Sequence, residues 1–301
     1  MKTKICVLVI IAVFVGSIIS CQVLMKVADV GAQVAGAAGY IDQSAANAIS
    51  TSARAIGSAA EEITPEQEYY IGRAVAANIL GAYKLWNGNP ALTTYINQIC
   101  LAITINSPRP DVYNGYHAAI LDSNEINAFA TSGGHIFVTR GLINTAKSED
   151  ALAGVIAHEI AHIQLKHGIK AIRNSRITQA LITTGASAAS AAGMDISQLT
   201  DVFKESVGEI FQTMVNSGYS QAQEFEADTT AMSLMASAGY RPQGLIDMLN
   251  ALKSAQTSNS GFGKTHPTPA QRISNAERTI SIYRAANTSA SRTSRFTTAT
   301  K

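Results

Sequence analysis

The chain has 301 residues, a formal net charge of +2 at pH 7, 15% charged residues and three cysteines. That balance supplies no strongly basic face, and no aromatic-interleaved basic stripe occurs, so a nucleic-acid partner is excluded. A chain of this length can bury one sizeable core, and one catalytic or binding domain is expected.

Residues 1–20 read as a secretory signal, with Lys2 and Lys4 ahead of the apolar run Ile5 to Phe14. Ile18-Ile19-Ser20-Cys21 resembles a bacterial lipobox, which assigns Cys21 as the lipidated residue; an ordinary signal or an uncleaved anchor helix are the alternatives. Gln22, not Asp, follows the cysteine, a pattern resembling lipoproteins passed to the outer membrane. Loss of Lys2 and Lys4 brings the mature chain to zero charge with His neutral. Cys6 leaves with the signal, so Cys100 is the one thiol left and no intramolecular disulfide is expected. Cys100 itself reads as a small buried hydrophobe.

Residues 21–60 are rich in Ala, Gly and Ser and read as a lipid-anchored spacer with some helical tendency. The domain spans 61–286. It opens at Thr64-Pro65, with Thr64 as N-cap, Pro65 at the first helical position and Gln67 completing a capping box. Helices are predicted over 64–86 and 90–105. Tyr116 to Leu121 and Ile126 to Thr139 read as short strands, with turns at Ser123-Asn124 and Gly133-Gly134.

The next helix carries His158-Glu159-Ile160-Ala161-His162. Residues four apart on a helix differ by about 40° in direction, so both imidazoles can share one metal, with Glu159 beside a metal-bound water. Ser148 is the predicted N-cap, Glu149 and Asp150 suit the positive end of the dipole, and Leu152, Val155, Ile156, Ile160 and Ile163 form an apolar stripe. Gly168 is the predicted stop, with Lys166 and His167 in the last turn. Three polar side chains on a buried helix need something to satisfy them, and a metal would.

Two histidines leave a zinc site incomplete. His167 lies five residues past His162, about 140° round the helix, and reads as a dipole partner or a supporting group rather than a ligand. Leu165 and Gly168 exclude the metzincin pattern, which needs Gly and His there. Glu224-Phe225-Glu226-Ala227-Asp228 opens a second helix, which could set Glu224 on the metal and Asp228 behind a ligating histidine. Thr183 to Gly193 reads as an insertion between the two ligand helices, too short and polar for a membrane span, and 287–301 as a disordered Ser/Thr-rich tail.

Taken in order, these segments resemble the HtpX-like zinc metallopeptidases, the gluzincin group that includes CAAX prenyl endopeptidases, Oma-type proteases and periplasmic outer-membrane quality-control proteases. The resemblance runs over about 64–285 through Arg109-Pro110-Asp111, Ile126 to Ala130, Gly133 to Leu142, the His158 helix, Glu224 to Asp228, and Thr265-His266-Pro267 with Arg272-Ile273. It implies an α+β fold, a mainly helical zincin-like domain with a small sheet whose edge strand flanks the active-site helix. It further implies one Zn2+ held by His158, His162 and Glu224, with Glu159 and His266 catalytic and Asp228 supporting. His266 either donates to the oxyanion or occupies zinc's open position in a resting state. Asn127, Ala128, Phe129 and Ala130 become the edge that takes an extended peptide as an added strand. No tetratricopeptide array is read after the domain. The implied function is a periplasmic endopeptidase, lipid-anchored to the outer membrane, that cuts unfolded or misassembled envelope proteins. A zinc-bearing chaperone and a hydrolase of non-peptide amides are the competing readings.

Overall fold

The computed structural model describes residues 21–59, 63–170, 207–208, 210–255, 261–266, 269–283 and 290–301. The signal at 1–20 and the insertion at 183–193 lie outside the described residues.

The N-terminal residues are not a loose spacer. Helices α1 (Cys21–Ala37) and α2 (Gln43–Ala59) pack on each other through small side chains, burying Ala32, Ala46, Ala53 and Ser50. Asp29 of α1 accepts from Arg54 of α2 at 2.9 Å and is bonded by Ser50, and Gln33 adds a bond to Asp29 at 3.0 Å. A run of Ala, Gly and Ser reads as a flexible linker by composition, but here the small residues permit close helix approach.

Residues 63–170 and 207–301 build a second unit. Helix α3 (Pro65–Ala82) starts with the expected capping box at Thr64 and Gln67, and α4 (Pro90–Thr104) is capped by Asn89. Helix α3 stops short of residue 86, where the chain forms an isolated antiparallel bridge, Leu85 opposite Leu121: Trp86 N–H donates to Ile120 O at 2.8 Å and Asp122 N–H to Lys84 O at 2.8 Å. The sheet has strands β1 (His117–Leu121), β2 (Ala128–Thr131) and β3 (His135–Thr139) in the order β1-β3-β2. β3 is parallel to β1 and antiparallel to β2, so β2 is an edge. The β2–β3 turn needs its two glycines: Gly133 and Gly134 have φ of 81° and 102°, a region L side chains rarely enter.

After α5 (Arg140–Thr145) comes α6 (Glu149–Gln164), capped by Ser148 and buried from Glu149 to Ile163 on every side, not along one stripe alone. Small residues make that possible; a Cβ on Gly154 would sit 2.8 Å from Leu245 Cα. Helices α7 (Gln221–Ser237) and α8 (Gln243–Ser254) pack most extensively on it, and β2 also lies against it. The stop differs from expectation. Leu165 is the C-cap, Lys166 takes φ 56°, and Gly168 lies in a further helical turn over 167–170.

A single turn α9 (Phe262–Thr265) precedes α10 (Pro269–Thr279). The last described element, α11 (Ala290–Ala299), replaces the expected disordered tail. Arg292 and Arg295 pair with Asp150 and Glu149, and Phe296 packs against the core, so the helix gains partners that its Ser/Thr-rich composition does not advertise. Among the described residues no helix is long and apolar enough to cross a membrane. Cys100 is a buried free thiol whose pKa burial pushes up to about 12.

Candidate metal centre

The ligand helices are well determined at their starts. Ser148 accepts from Ala151 N–H on α6, while Ser220 and Gln223 form a capping box on α7. Each cap places its polar residues within the following helical turns, so the register of both helices is set locally. The result is convergent. His158 Nε2 and His162 Nε2 lie 3.0 Å apart, and Glu224 brings Oε2 to 3.4 Å from the first and Oε1 to 3.5 Å from the second. His266, at the C-terminal end of α9 with the non-helical backbone expected before proline (φ −130°, ψ 81°), adds Nδ1 at 3.0 Å from Glu224 Oε1. One donor atom from each of these four buried side chains falls within 4.8 Å of all the others. Glu159 stands beside them, with His266 Nε2 3.5 Å from its Oε1.

The donor set fits a zinc ion on three counts. Two imidazoles and a carboxylate are the ligand types of catalytic zinc. Glu159, Glu224 and Asp228 are buried with the guanidinium of Arg272; once the histidines are neutral, as metal ligation requires, three carboxylates against one guanidinium leave the charge that one divalent ion balances. Glu159 Oε1 is buried without a hydrogen-bond partner among the described residues, which is costly unless a further group meets it.

Behind the ligands, Asp228 Oδ1 accepts from His158 Nδ1 at 3.0 Å. Arg272, from α10, holds Asp228 through Nε at 2.8 Å and Nη2 at 2.6 Å and reaches Glu224 Oε2 with Nη1 at 3.1 Å. His162 Nδ1 lies 2.8 Å from His167 Nδ1, and Tyr219 stacks on the His162 ring at 4.3 Å and 19°. Phe262 stacks on His266 at 4.4 Å and 23°.

These surroundings set the titration of each group. Burial raises the Glu159 carboxyl, only partly offset by His266 and His158. Burial also works to raise Glu224 and Asp228, yet the charges of His266 and Arg272 hold Glu224 well below its usual range, and Arg272 lowers Asp228. Burial pushes His162 well down. At His158 burial and Arg272 oppose charging, but hydrogen bonds to Asp228 and Glu224 outweigh them and raise it to about 9. A carboxyl kept protonatable at low expense beside carboxylates kept ionised is the division of labour that a general base and metal ligands require.

Of the residues expected from sequence, His158, Glu159, His162, Glu224, Asp228 and His266 are brought together. Ala128, Phe129 and Ala130 lie on β2, buried and outside the donor cluster. Asn127 reaches it indirectly, since Thr265 Oγ1–H donates to Asn127 Oδ1 at 3.2 Å. The same turn meets the strand's start, where Phe262 N–H donates to Ile126 O at 2.7 Å. Cys21 begins α1 in the N-terminal unit. Sequence reasoning missed the roles of Arg272 and Tyr219. Arg272 stood in a quoted segment, but nothing in its spacing announces a buried cation against two carboxylates on another helix.

The sequence matches the family model for peptidase family M48 over residues 90–280. The chain is 28% identical over 223 residues to the beta-barrel assembly-enhancing protease of Escherichia coli (strain K12), a match covering 73% of this chain and 45% of that protein. It is 31% identical over 182 residues to metalloprotease LoiP of the same organism, covering 60% and 66% of the two chains. The mitochondrial metalloendopeptidase OMA1 of Schizosaccharomyces pombe is 28% identical over 192 residues, covering 62% and 52%. The chain thus spans about half the length of these curated relatives. With a family match across well over half the sequence and a buried His-His-Glu donor set in place, the chain belongs to peptidase family M48, the family of zinc metalloproteases.

Proposed function

We propose that the protein is a zinc-dependent endopeptidase of the bacterial cell envelope that hydrolyses unfolded or misassembled envelope proteins. The observation that carries the reading is Glu159, a buried carboxylate with a free oxygen beside two imidazoles and Glu224 that face one point. A scaffold that merely holds zinc has no use for it. His158, His162 and Glu224 are the residues that hold the ion. Zinc, when bound, polarises the scissile carbonyl and lowers the pKa of water. Glu159 accepts the proton of the attacking water and returns it to the leaving amine, a role its raised pKa suits. Asp228 and Arg272 hold the His158 ring and the Glu224 carboxylate in place. The edge strand β2, buried in this structure, is the proposed pairing strand for an extended substrate once its edge is uncovered, a mode that reads backbone more than side chains and accepts unfolded clients.

His266 lies among the ligand atoms rather than beyond them, which supports a resting arrangement in which it takes zinc's open position. Cys21 is the proposed lipid attachment point, preceded by the signal at 1–20, with the mature protein held at the outer membrane. The names of the enterobacterial relatives, a beta-barrel assembly-enhancing protease among them, support an envelope role.

Hydrolysis of unfolded casein by the purified protein, with and without chelator, tests the activity. Glu159→Gln is expected to keep its zinc and lose roughly a hundred- to ten-thousandfold in rate. Casein cleavage that survives both chelation and this substitution overturns the reading.

A further inference from the structure

The two histidine ligands are supported in different ways. His158 is braced directly, Nδ1 to the fully buried Asp228, itself gripped by Arg272. His162 Nδ1 instead faces another imidazole, His167 Nδ1, at 2.8 Å, and His167 Nε2 lies 3.2 Å from Glu226 Oε2. His167 is wholly buried, whereas the Glu226 side chain is 49% exposed.

We infer that His167 and Glu226 are positioning residues for the metal ligand His162, acting as a relay that carries a surface carboxylate's support to the zinc site. The inference rests on the reading of His162 as a ligand. Two imidazole nitrogens at 2.8 Å need one donor and one acceptor. If His162 gives its Nε2 lone pair to zinc, its one N–H is on Nδ1 and donates to His167 Nδ1. His167 then carries its own proton on Nε2 and donates it to Glu226. Each tautomer fixes the next, and Glu226 is the acceptor that ends the chain. A metal-bound imidazole whose second N–H is accepted binds in a fixed orientation and is a better donor. Tyr219, stacked on the His162 ring and also in contact with the His167 ring, restricts the same imidazole against rotation.

Sequence position alone points the other way for Glu226. It lies about 200° round α7 from Glu224 and so cannot face the metal. The structure makes that same displacement useful, since Glu226 turns toward the residues following α6, where His167 stands. A carboxylate past the first turn of a helix with half its side chain in solvent is ordinarily of little consequence. Here its carboxylate has a buried imidazole to hold.

Zinc affinity, measured by competition with a fluorescent chelator, reads the relay without any assay of turnover. His167→Ala and Glu226→Ala are each expected to weaken zinc binding by roughly ten- to a hundredfold, with Glu226→Gln falling between Glu226→Ala and the parent because an amide oxygen still accepts. The double variant should bind no more weakly than His167→Ala alone, since Glu226 acts through His167. The visible spectrum of the cobalt-substituted protein should shift in both single variants. Unchanged affinity and spectrum in Glu226→Ala, or additive losses in the double variant, overturn the relay. Because Glu226 is surface-exposed, its variants keep the test decisive even where His167→Ala fails to fold. The parent and Glu224→Ala proteins separate the two levels of inference. A parent that binds no zinc, or a Glu224→Ala variant that keeps full affinity, refutes the metal site itself. Failure of the Glu226 series with those controls behaving as expected refutes the relay alone.

Discussion

The two ends of α6 bury acidic groups in opposite ways. At the N-terminal end Glu149 and Asp150 are almost fully buried, and the protein answers both. Tyr95 O–H donates to Glu149 at 2.9 Å and Arg295 forks onto it, while Asp150 accepts from Arg292 at 2.7 Å and from Arg241 N–H at 3.0 Å. The helix dipole adds to both. At the C-terminal end Glu224 and Asp228 share one guanidinium, and one oxygen of the neighbouring Glu159 has no hydrogen-bond partner among the described residues. Where a buried cluster serves structure, side chains close its charge balance. Where a cluster serves chemistry, the balance is completed by an ion.

The most severe way to break this contrast is to remove a ligand. Glu224→Ala is expected to weaken zinc binding beyond the roughly ten- to hundredfold loss typical of a supporting residue, measured as metal content after dialysis against a chelator. The same assay on the N-terminal end, with Arg292→Ala, should show full zinc. Equal losses at both ends would mean that the metal site answers to the helix as a whole and not to its own ligands.

Arg272→Met sharpens the comparison by removing the guanidinium at the metal end. Arg272 and its two carboxylate partners are fully buried, so their charges lose the guanidinium that pairs with both. Stripping a partner from a buried pair costs about 3–5 kcal/mol, and the zinc-free protein should melt correspondingly early. Zinc should restore a large part of that loss in this variant, since binding to the native state alone stabilises it. A variant that melts like the parent in the absence of zinc would show that Asp228 and Glu224 do not need Arg272.

His266→Ala tests the fourth group at the same end. With the ring removed from among the ligand atoms, casein hydrolysis should rise at unchanged zinc content. A fall of roughly ten- to a thousandfold instead assigns His266 to oxyanion stabilisation. Activity and zinc content indistinguishable from the parent would return it to a packing role against Phe262.

Much of this was legible in the sequence because helix periodicity is local. Ser148, the His-Glu-x-x-His spacing, and the four-residue step from Glu224 to Asp228 each need only one helix to be read. The β2–β3 turn was equally plain from Gly133-Gly134. What stayed hidden was tertiary. Nothing near Arg272 says that it will be buried against α7, and the alternation of small residues that lets α6 be buried on all sides looks like a single apolar stripe until α8 is placed on Gly154. Composition suggested some helical tendency at residues 21–59 but not that the two helices pair, and it hid the helix at 290–299. It measures the average tendency to fold and misses the few residues, Asp29 with Arg54 and Arg292 with Arg295, that tie a low-complexity helix to a partner.

Arg292 and Arg295 give the smallest and most specific test. Arg292 is largely buried at its pair with Asp150, whereas about half of the Arg295 side chain faces solvent and its attraction to Glu149 is screened accordingly. Arg295→Ala is therefore expected to cost no more than about 1 kcal/mol, with Tyr95 still answering Glu149. Arg292→Ala should cost more, about 1–3 kcal/mol, because it also gives up a ring contact, its guanidinium lying 5.3 Å over Tyr240. For a domain of this size each kcal/mol lowers the melting temperature by roughly 2–4 °C. Raising the salt concentration should narrow the gap between Arg295→Ala and the parent and leave Arg292→Ala nearly unmoved, as expected for an exposed and a buried pair. Zinc affinity should be unchanged in both, because the pairs lie at the far end of α6 from the ligands. If either substitution lowers zinc affinity instead, the C-terminal helix reaches the metal through α6, and the two ends of the helix are one site.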